Sequence, residues 1–449
     1  MEAITNIWMD ANTQWVLLGT LLLGLASGLI GSFALLKKQS LIGDAMAHAA
    51  LPGICIAFLL YGAKSMSWFM IGASIAGLLA TLFIQKIIQY SRIKEDTAIG
   101  LVLSVFFGFG IVLLTYINQS SKGNQSGIDD FIFGQAASLV GSDVKLISGI
   151  AVILIGVTII LFKELKLLAF DPQFAKGIGL PIGLLNGLLM MLIVSIVVIG
   201  LQAVGVVLMS ALLITPAIAA RYWTERLDRM VIIAAIIGAF SGVFGTILST
   251  TTNGMPTGPL IIVAATIIFL FSLVFAPKRG MLAKAIRNAQ LRRTVMRENV
   301  LQTFYDYMEG TSPHTAFVAV DVTEEQLRKM RPIAKKQLKR LLHSLKSESL
   351  VEKCGGDRWR LTPDGLEEAY AITLSNRLME VYLMNEMTYA HLNLKQGEAK
   401  DILALPENIL MEMKELLKRY GREPLLIPMQ LRAKQQAYRT YTSMGGNSR

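Results

Sequence analysis

The chain contains few cysteines and few charged residues, and it lacks the phosphate-binding loop of an ATPase. Its 449 residues include two cysteines, Cys55 and Cys354, which lie far apart in sequence, so no disulfide framework is predicted. Charged residues make up 17% of the chain against 53% hydrophobic residues. No G-x-x-x-x-G-K-S/T phosphate loop occurs anywhere in the sequence, which excludes a P-loop ATPase within this polypeptide.

The first ten residues, MEAITNIWMD, lack the basic region with which a cleavable signal peptide begins. We therefore interpret the first apolar stretch as a membrane span that is retained in the protein.

Charge is unevenly distributed along the chain. Residues 1–284 contain 17 basic and 12 acidic residues, whereas residues 285–449 contain 26 basic and 20 acidic residues. The first part therefore has a membrane-like composition and the second part a soluble one. This contrast predicts a transmembrane domain over 1–284, followed by a soluble tail.

Long apolar runs dominate the first domain. A helix needs about 20 mostly apolar residues to cross a hydrocarbon core of about 30 Å. The sequence contains about nine such runs, which predict an all-α polytopic membrane fold. They lie near residues 15–36, 41–62, 66–88, 97–117, 144–162, 182–200, 203–220, 230–252 and 258–276. The sixth and seventh form one apolar run that is interrupted only around Gln202.

Basic residues follow every second predicted span. Clusters after spans one, three, five, seven and nine lie at 37–38, 92–94, 163–176, 221–229 and 278–279. All five therefore fall on one side of the membrane, which the positive-inside rule assigns to the cytoplasm. We predict an N-terminus outside the cell and a cytoplasmic C-terminal tail.

Glycines recur at helical spacing in the first span, at Gly19, Gly24, Gly28 and Gly31. Such small residues allow helices to approach closely. Tight packing within a helical bundle is sufficient to explain them.

The second span contains an ionisable pair, Asp44 and His48. Their i, i+4 spacing places both side chains on one face of a helix. Ionisable groups within a span usually mark a path for ions or protons, because they are costly to bury there. Carboxylate and imidazole together suit manganese, iron or zinc. The alternative is structural: Asp44 would cap the helix and His48 would form one interhelical hydrogen bond.

Several stretches resemble a known family of transporters in both order and spacing. They are LIGDAMAHAALPG, KEDTAIGLVLS, FDPQFAKGIGLP, LQAVGVVLMSALLITPA and PTGP. Together they resemble the manganese/zinc/iron permease family of ABC transporters over roughly residues 15–280. The resemblance implies that Asp44 and His48 line the metal pathway. It also implies a cytosolic ATPase subunit, an extracytoplasmic metal-binding lipoprotein and a second permease subunit, identical or different.

The cytoplasmic loop 163–181 contains signals for a short helix. Asp171 and Pro172 form a good N-cap and first-turn pair, and Gly177, Gly179 and Pro181 are stop signals. The sequence alone is compatible with either an ordinary connector or a contact for a partner. The family resemblance favours coupling to the ATPase through Asp171, Pro172, Phe174 and Gly177.

The tail shows the order helix, helix, β-hairpin, helix, with a turn at Gly355–Gly356. This order is typical of winged-helix domains, and the tail resembles metal-dependent iron or manganese repressors over roughly 290–425. We predict a cytosolic α+β winged-helix-like domain at 285–372, a helical repressor-like dimerisation region at 373–425 and a flexible tail at 426–449.

The tail departs from those repressors at their metal cluster. Where they carry a VHEEA-like helix, this chain has KQGEAKDILALPENI, which leaves His391 and Glu398 as possible ligands. Four basic residues, Lys335, Lys336, Lys339 and Arg340, lie on the helix in the DNA-recognition position. Basic helices are commonly just soluble surfaces, and we do not expect nucleic acid as a partner.

Three functions fit the sequence: an ABC permease for a divalent metal, an ATP-independent metal or proton transporter, and a membrane-tethered regulator. The ordered motifs favour the permease, with manganese as the first cargo and zinc or iron next. We expect no enzymatic activity and no permanently bound cofactor. The expected location is the bacterial plasma membrane, in contact with its lipids.

Overall fold

A computed structural model describes residues 11–39, 41–62, 65–119, 141–251, 255–311, 320–389, 392 and 399–428. The chain divides into two compact units, Met1–Ala285 and Ile286–Arg449. We call them the membrane unit and the tail unit and describe each separately.

The membrane unit is entirely helical in its described part. Its long helices are α1 (Ala11–Leu36), α2 (Ile42–Tyr61), α3 (Met66–Tyr90), α4 (Glu95–Gln119), α5 (Gly141–Ile160), α8 (Ile182–Val204), α9 (Val206–Trp223), α10 (Leu227–Thr251) and α11 (Thr257–Phe275). Two short helices, α6 (Phe162–Phe170) and α7 (Pro172–Gly177), join α5 to α8. The predicted polytopic membrane fold is confirmed.

Eight helices of the described chain are long and apolar enough to cross a membrane. The remaining predicted span, 203–220, corresponds to α9, whose apolar part Leu208–Trp223 is shorter than the other eight. The break between α8 and α9 falls at Gly205, where φ is +95°. Only glycine adopts this backbone conformation without strain. The helix therefore breaks at Gly205, three residues beyond the interruption that the sequence predicted at Gln202.

Helices α1 and α10 touch through their backbones. A Cβ atom added at Gly24 would lie 2.2 Å from the carbonyl oxygen of Gly238, and one at Gly28 would lie 2.2 Å from that of Ala234. Neither position has room for a side chain. The packing explanation of the glycine series in the first span therefore holds for Gly24 and Gly28.

The tail unit combines helices with a small sheet. Its elements are α12 (Met281–Thr311, which begins within the membrane unit), β1 (Val322–Thr323), α13 (Glu324–Met330), α14 (Lys335–Ser347), β2 (Val351–Gly355), β3 (Arg358–Leu361), α15 (Pro363–Met384), α16 (Glu386–Tyr389), a 3₁₀ helix (Ala399–Ala404) and α17 (Glu407–Arg419). The strands are antiparallel in the order β1-β3-β2. The two predicted helices, the hairpin and the next helix occur in the predicted order as α12, α14, β2–β3 and α15, whereas β1 and α13, between the first two, were not predicted. Gly355 and Gly356 both have positive φ at the turn.

Two hydrophobic clusters lie within the tail unit. The first surrounds Trp359 of β3, which is fully buried, and includes Phe304 of α12 and Leu342 of α14. The second joins Tyr382 of α15 to Met413 of α17. Arg297 of α12 is bound to Glu368 and Glu348, and these hydrogen bonds raise the pKa of its guanidinium despite partial burial. The proposed subdivision of the tail at 372 and 425 stays a prediction.

Candidate metal site and coupling surface

Helix α2 brings Asp44 and His48 together. The Oδ1 atom of Asp44 lies 3.5 Å from Nε2 of His48, as the i, i+4 spacing predicts. The residue preceding the helix is Leu41, and it forms no side-chain cap. Asp44 is the third residue of the helix, so its carboxylate lies in the first turn without capping it. The capping role in the structural alternative is therefore not observed.

The imidazole of His48 packs against a neighbouring helix instead of bonding to it. Its ring meets Phe107 of α4 edge to face, with centroids 4.7 Å apart. Its Nδ1 atom is buried and has no hydrogen-bond partner within the described part of the chain. The interhelical hydrogen bond of the structural alternative is thus absent among the described residues.

Asp44 is more accessible than its partner. Its side chain is 37% exposed against 17% for His48, and Ser210 of α9 lies beside it, next to Gly43. Helices α2, α4 and α9 therefore each contribute one side to the surroundings of the pair. The sequence motifs did not identify Phe107 or Ser210, because these residues approach only when distant helices pack.

The pair lies near one end of its span. His48 is six residues from the start of α2, which corresponds to about 9 Å along the helix axis. The helix continues unbroken through Pro52, so no re-entrant segment moves the pair deeper. Next to Pro52, Gly53 packs against the backbone of Gly72 of α3, which fixes the position of α2. Asp44 and His48 therefore occupy the third of the span adjacent to Lys37.

The described residues of one chain supply only two ligands at this place. Among the residues that the structure describes, no group of three or more His, Cys, Asp or Glu side chains converges on a point. Transition metals in proteins usually bind four or more ligands. The carboxylate and the imidazole can therefore contribute to a metal site but cannot complete it.

Polar contacts join several loops at the same end of the membrane unit. Lys37 donates to Asn186 of α8. Gln39 donates to Glu95 of α4 over 2.7 Å, and Lys166 of α6 contacts Asp228 of α10 over 2.8 Å. Residues within or directly next to four of the five basic clusters that the sequence placed on one side thus lie at one end of the bundle. Which side of the membrane this end faces stays a prediction.

The predicted helix in loop 163–181 is α7. The carboxylate of Asp171 accepts a hydrogen bond from the backbone N–H of Phe174 over 2.9 Å, and Pro172 occupies the first turn. Gly177 is the last helical residue, and Gly179 has a φ of +88°. The local structure agrees with the cap and stop signals, whereas the coupling role of these residues stays a prediction.

The loop presents an apolar surface. Phe174 is 56% exposed, and Phe170 and Ile178 are exposed to a similar degree. Ala175 is fully buried and anchors α7 to the bundle. Sequence reasoning selected Phe174 but missed Phe170 and Ile178. These two apolar residues lie four positions before and after Phe174, a spacing that could have indicated a shared surface.

In the tail unit, the basic residues Lys335, Lys336, Lys339 and Arg340 are exposed on α14, while its leucines face the core. Lys339 lies 3.9 Å from Glu324, whose side chain is buried. His391 and Glu398 fall outside the described residues.

Comparisons with known proteins agree with the sequence motifs. The profile of the ABC 3 transport family matches residues 9–276. The manganese transport system membrane protein MntC of Bacillus subtilis is 54% identical over 422 residues, covering 93% of this chain and 95% of the relative. The zinc transport system membrane protein TroC of Treponema pallidum is 46% identical over 292 residues, covering 65% of this chain and 98% of the relative.

Among solved structures, PsaBC from Streptococcus pneumoniae in complex with Fab matches with a TM-score of 0.55 at 33% identity. That match covers 62% of this chain and 96% of the solved chain, about the extent of the membrane unit. The match with MntC is longer and extends into the tail unit. The resemblance of the tail to metal-dependent repressors stays a prediction, but the profile, the relatives and the fold of the membrane unit agree, and the chain belongs to the ABC 3 transport family.

Proposed function

We propose that this protein is the membrane permease subunit of an ABC importer for a divalent transition metal, manganese first and zinc next. The observation that carries the proposal is the pair of Asp44 and His48, whose Oδ1 and Nε2 atoms lie 3.5 Å apart within a span. The relatives named for manganese and zinc transport support the same cargo. Iron is the third candidate cargo, because a carboxylate and an imidazole also suit iron as ligands.

The metal passes between the carboxylate of Asp44 and the imidazole of His48. An ion bound there needs an ionised carboxylate and a neutral imidazole, because a protonated nitrogen cannot donate its lone pair. Two copies of the permease, facing each other, would supply four ligands. This arrangement explains why the described part of one chain holds no complete ligand set.

Energy reaches the permease from a separate ATPase that binds the loop containing α7. The exposed Phe174, with Phe170 and Ile178 on either side, forms an apolar contact surface, and Asp171 holds the helix in shape. A metal-binding lipoprotein delivers the ion at the opposite end of the bundle. The basic end of the bundle then faces the cytoplasm, and the N-terminus lies outside.

The tail unit regulates this permease and does not form part of the transport path. TroC is matched over 98% of its length by 65% of this chain, so a relative named for zinc transport has no counterpart for much of the tail.

The test is metal accumulation in cells that lack this protein, measured for manganese, zinc and iron together. Wild-type protein should restore uptake of one of these metals, whereas Asp44→Ala and His48→Ala should each lower it at least about tenfold, since a ligand is lost. Both variants should still insert, because each removes an ionisable group from a span. Leu59→Ala, at an exposed position of the same helix, is the matched control and should transport normally.

Uptake at the wild-type rate in both variants would exclude the pair from the metal path. Deleting the gene of the partner ATPase separates the proposal from a secondary transporter. Uptake should then stop, and persistence of uptake would contradict an ABC importer.

A further inference from the structure

The segment that follows the last span carries positive charges only. Residues 276–296 contain six basic residues and no acidic residue. The basic residues are Lys278, Arg279, Lys284, Arg287, Arg292 and Arg293. A cluster of positive charges next to a membrane span creates a strong local electrostatic potential. Neither the metal path nor the coupling loop uses this cluster.

The chain turns directly from the last span into α12. Span α11 ends at Phe275, and the N–H of Gly280 donates to the carbonyl oxygen of Ala276 over 2.9 Å. Helix α12 begins at the next residue, Met281. The basic residues at the start of α12 therefore lie close to the membrane boundary, because only five residues separate the two helices.

The first turns of α12 have an apolar stripe that the described residues do not cover. Leu282, Ile286 and Ala289 follow one another at intervals of four and three residues, share one helix face, and are all exposed. In proteins, most of the stability of a helix comes from the packing of its apolar face against another surface, and here no described residue supplies that surface.

Three charges of the same turns are also available for binding. Lys284, Arg292 and Arg293 are exposed, and none forms an ion pair with another residue in the described ranges. Arg279 contacts Glu225 over 3.4 Å in an exposed pair that anionic headgroups can displace.

Charge decides which partner fits this helix. A second copy of residues 276–296 would bring six basic residues towards six others, with no acidic residue in either segment, which opposes pairing. The adjacent membrane surface offers both a negative charge and an apolar layer. We propose that residues 278–293 form a binding site for anionic phospholipid headgroups of the leaflet at which α11 ends. The proposal does not depend on which ion the permease carries.

The test uses the full-length protein in nanodiscs made with or without phosphatidylglycerol in phosphatidylcholine. A fluorophore is attached at Ala289→Cys in a Cys354→Ser background, since Cys354 is exposed and Cys55 is buried. Spin-labelled lipid then reports contact by quenching. Quenching should be several-fold stronger with phosphatidylglycerol and should weaken as salt shortens the screening length from about 8 Å at 0.15 M to about 3 Å at 1 M.

Two triple variants test whether the effect comes from the charges of α12 or only from the total positive charge of the protein. Lys284→Gln/Arg292→Gln/Arg293→Gln should lose the phosphatidylglycerol-dependent quenching. Lys335→Gln/Lys336→Gln/Arg340→Gln removes the same charge from exposed positions of α14 and should retain it. Equal quenching in the two lipids, or an equal loss in both variants, would overturn the proposal. Retardation of added DNA that the α12 variant abolishes, without any lipid dependence, would assign these charges to nucleic acid instead.

Discussion

Gly24 lies at a point where two membrane helices meet through backbone atoms. We predict that Gly24→Ala destabilises the membrane unit by about 1–3 kcal/mol, because the added Cβ would lie 2.2 Å from the carbonyl oxygen of Gly238. The helices must separate to admit it. The measurement is the melting temperature of the purified protein in detergent, read from the amount of protein that still elutes as a single peak in size-exclusion chromatography after heating.

Gly108→Ala is the control for this substitution. Gly108 lies on α4 with nothing within 4 Å of an added Cβ, so this exchange should leave the melting temperature unchanged or slightly raised. Equal melting temperatures for the two variants would show that α1 and α10 are not held at backbone contact.

The ionisable pair shows what could be predicted at this scale. The contact between Asp44 and His48 follows from helical periodicity alone, because both residues belong to one helix. The neighbours Phe107 and Ser210 could not be inferred, since they are 59 or more residues away in sequence and meet the pair only through helix packing. Local spacing therefore predicts the contact between the two proposed ligands but not their surroundings.

At the scale of single elements, α7 depends on its cap. We predict that Asp171→Ala weakens α7 by about 1 kcal/mol, because the N–H of Phe174 loses its acceptor. Co-purification with the ATPase and metal uptake should both decrease, while membrane insertion should not. Asp171→Asn retains a good N-cap residue and should behave like wild type. Normal co-purification and normal uptake with Asp171→Ala would mean that loop 163–181 is only a connector.

Element boundaries were predictable where turn chemistry is strong. Pro172, Gly179 and the Gly355–Gly356 turn all lie where the sequence placed them. The break between α8 and α9 was misplaced by three residues, because an apolar run conceals which residue has positive φ. Strand β1 was missed, since its two residues become a strand only by pairing with Trp359 and Arg358 of β3.

For the molecule as a whole, the two units should be separable. We predict that a chain truncated after Gly280 still inserts in the membrane and still transports metal, because the described spans and loop 163–181, the proposed ATPase contact, precede that point. The measurement is uptake by the truncated protein relative to its amount in the membrane fraction. A truncated protein that assembles with its ATPase and carries no metal would show that the tail unit is required for transport.

The native cysteines report on orientation without any mutation. Cys354 is exposed in the tail unit and Cys55 is buried within α2. We predict that a membrane-impermeant maleimide labels Cys354 in broken cells and not in intact cells, because the proposed orientation places the tail unit in the cytoplasm. Labelling of intact cells would reverse the proposed orientation. Cys354→Ser should abolish labelling in both preparations and identifies the reacting residue.

The short length of α9 has a consequence for hydrophobic mismatch. Its apolar part, Leu208–Trp223, extends about 24 Å, less than a hydrocarbon thickness of about 30 Å. No described side chain from Val206 to Ala220 is exposed, so neighbouring helices, and not lipid, surround this part of α9. The bilayer therefore does not have to thin around it, whereas the largely exposed α4 must tilt to fit its 25 residues. A change in acyl-chain length should act on α4 and leave Ser210, and with it the α9 side of the proposed ion path, at its depth.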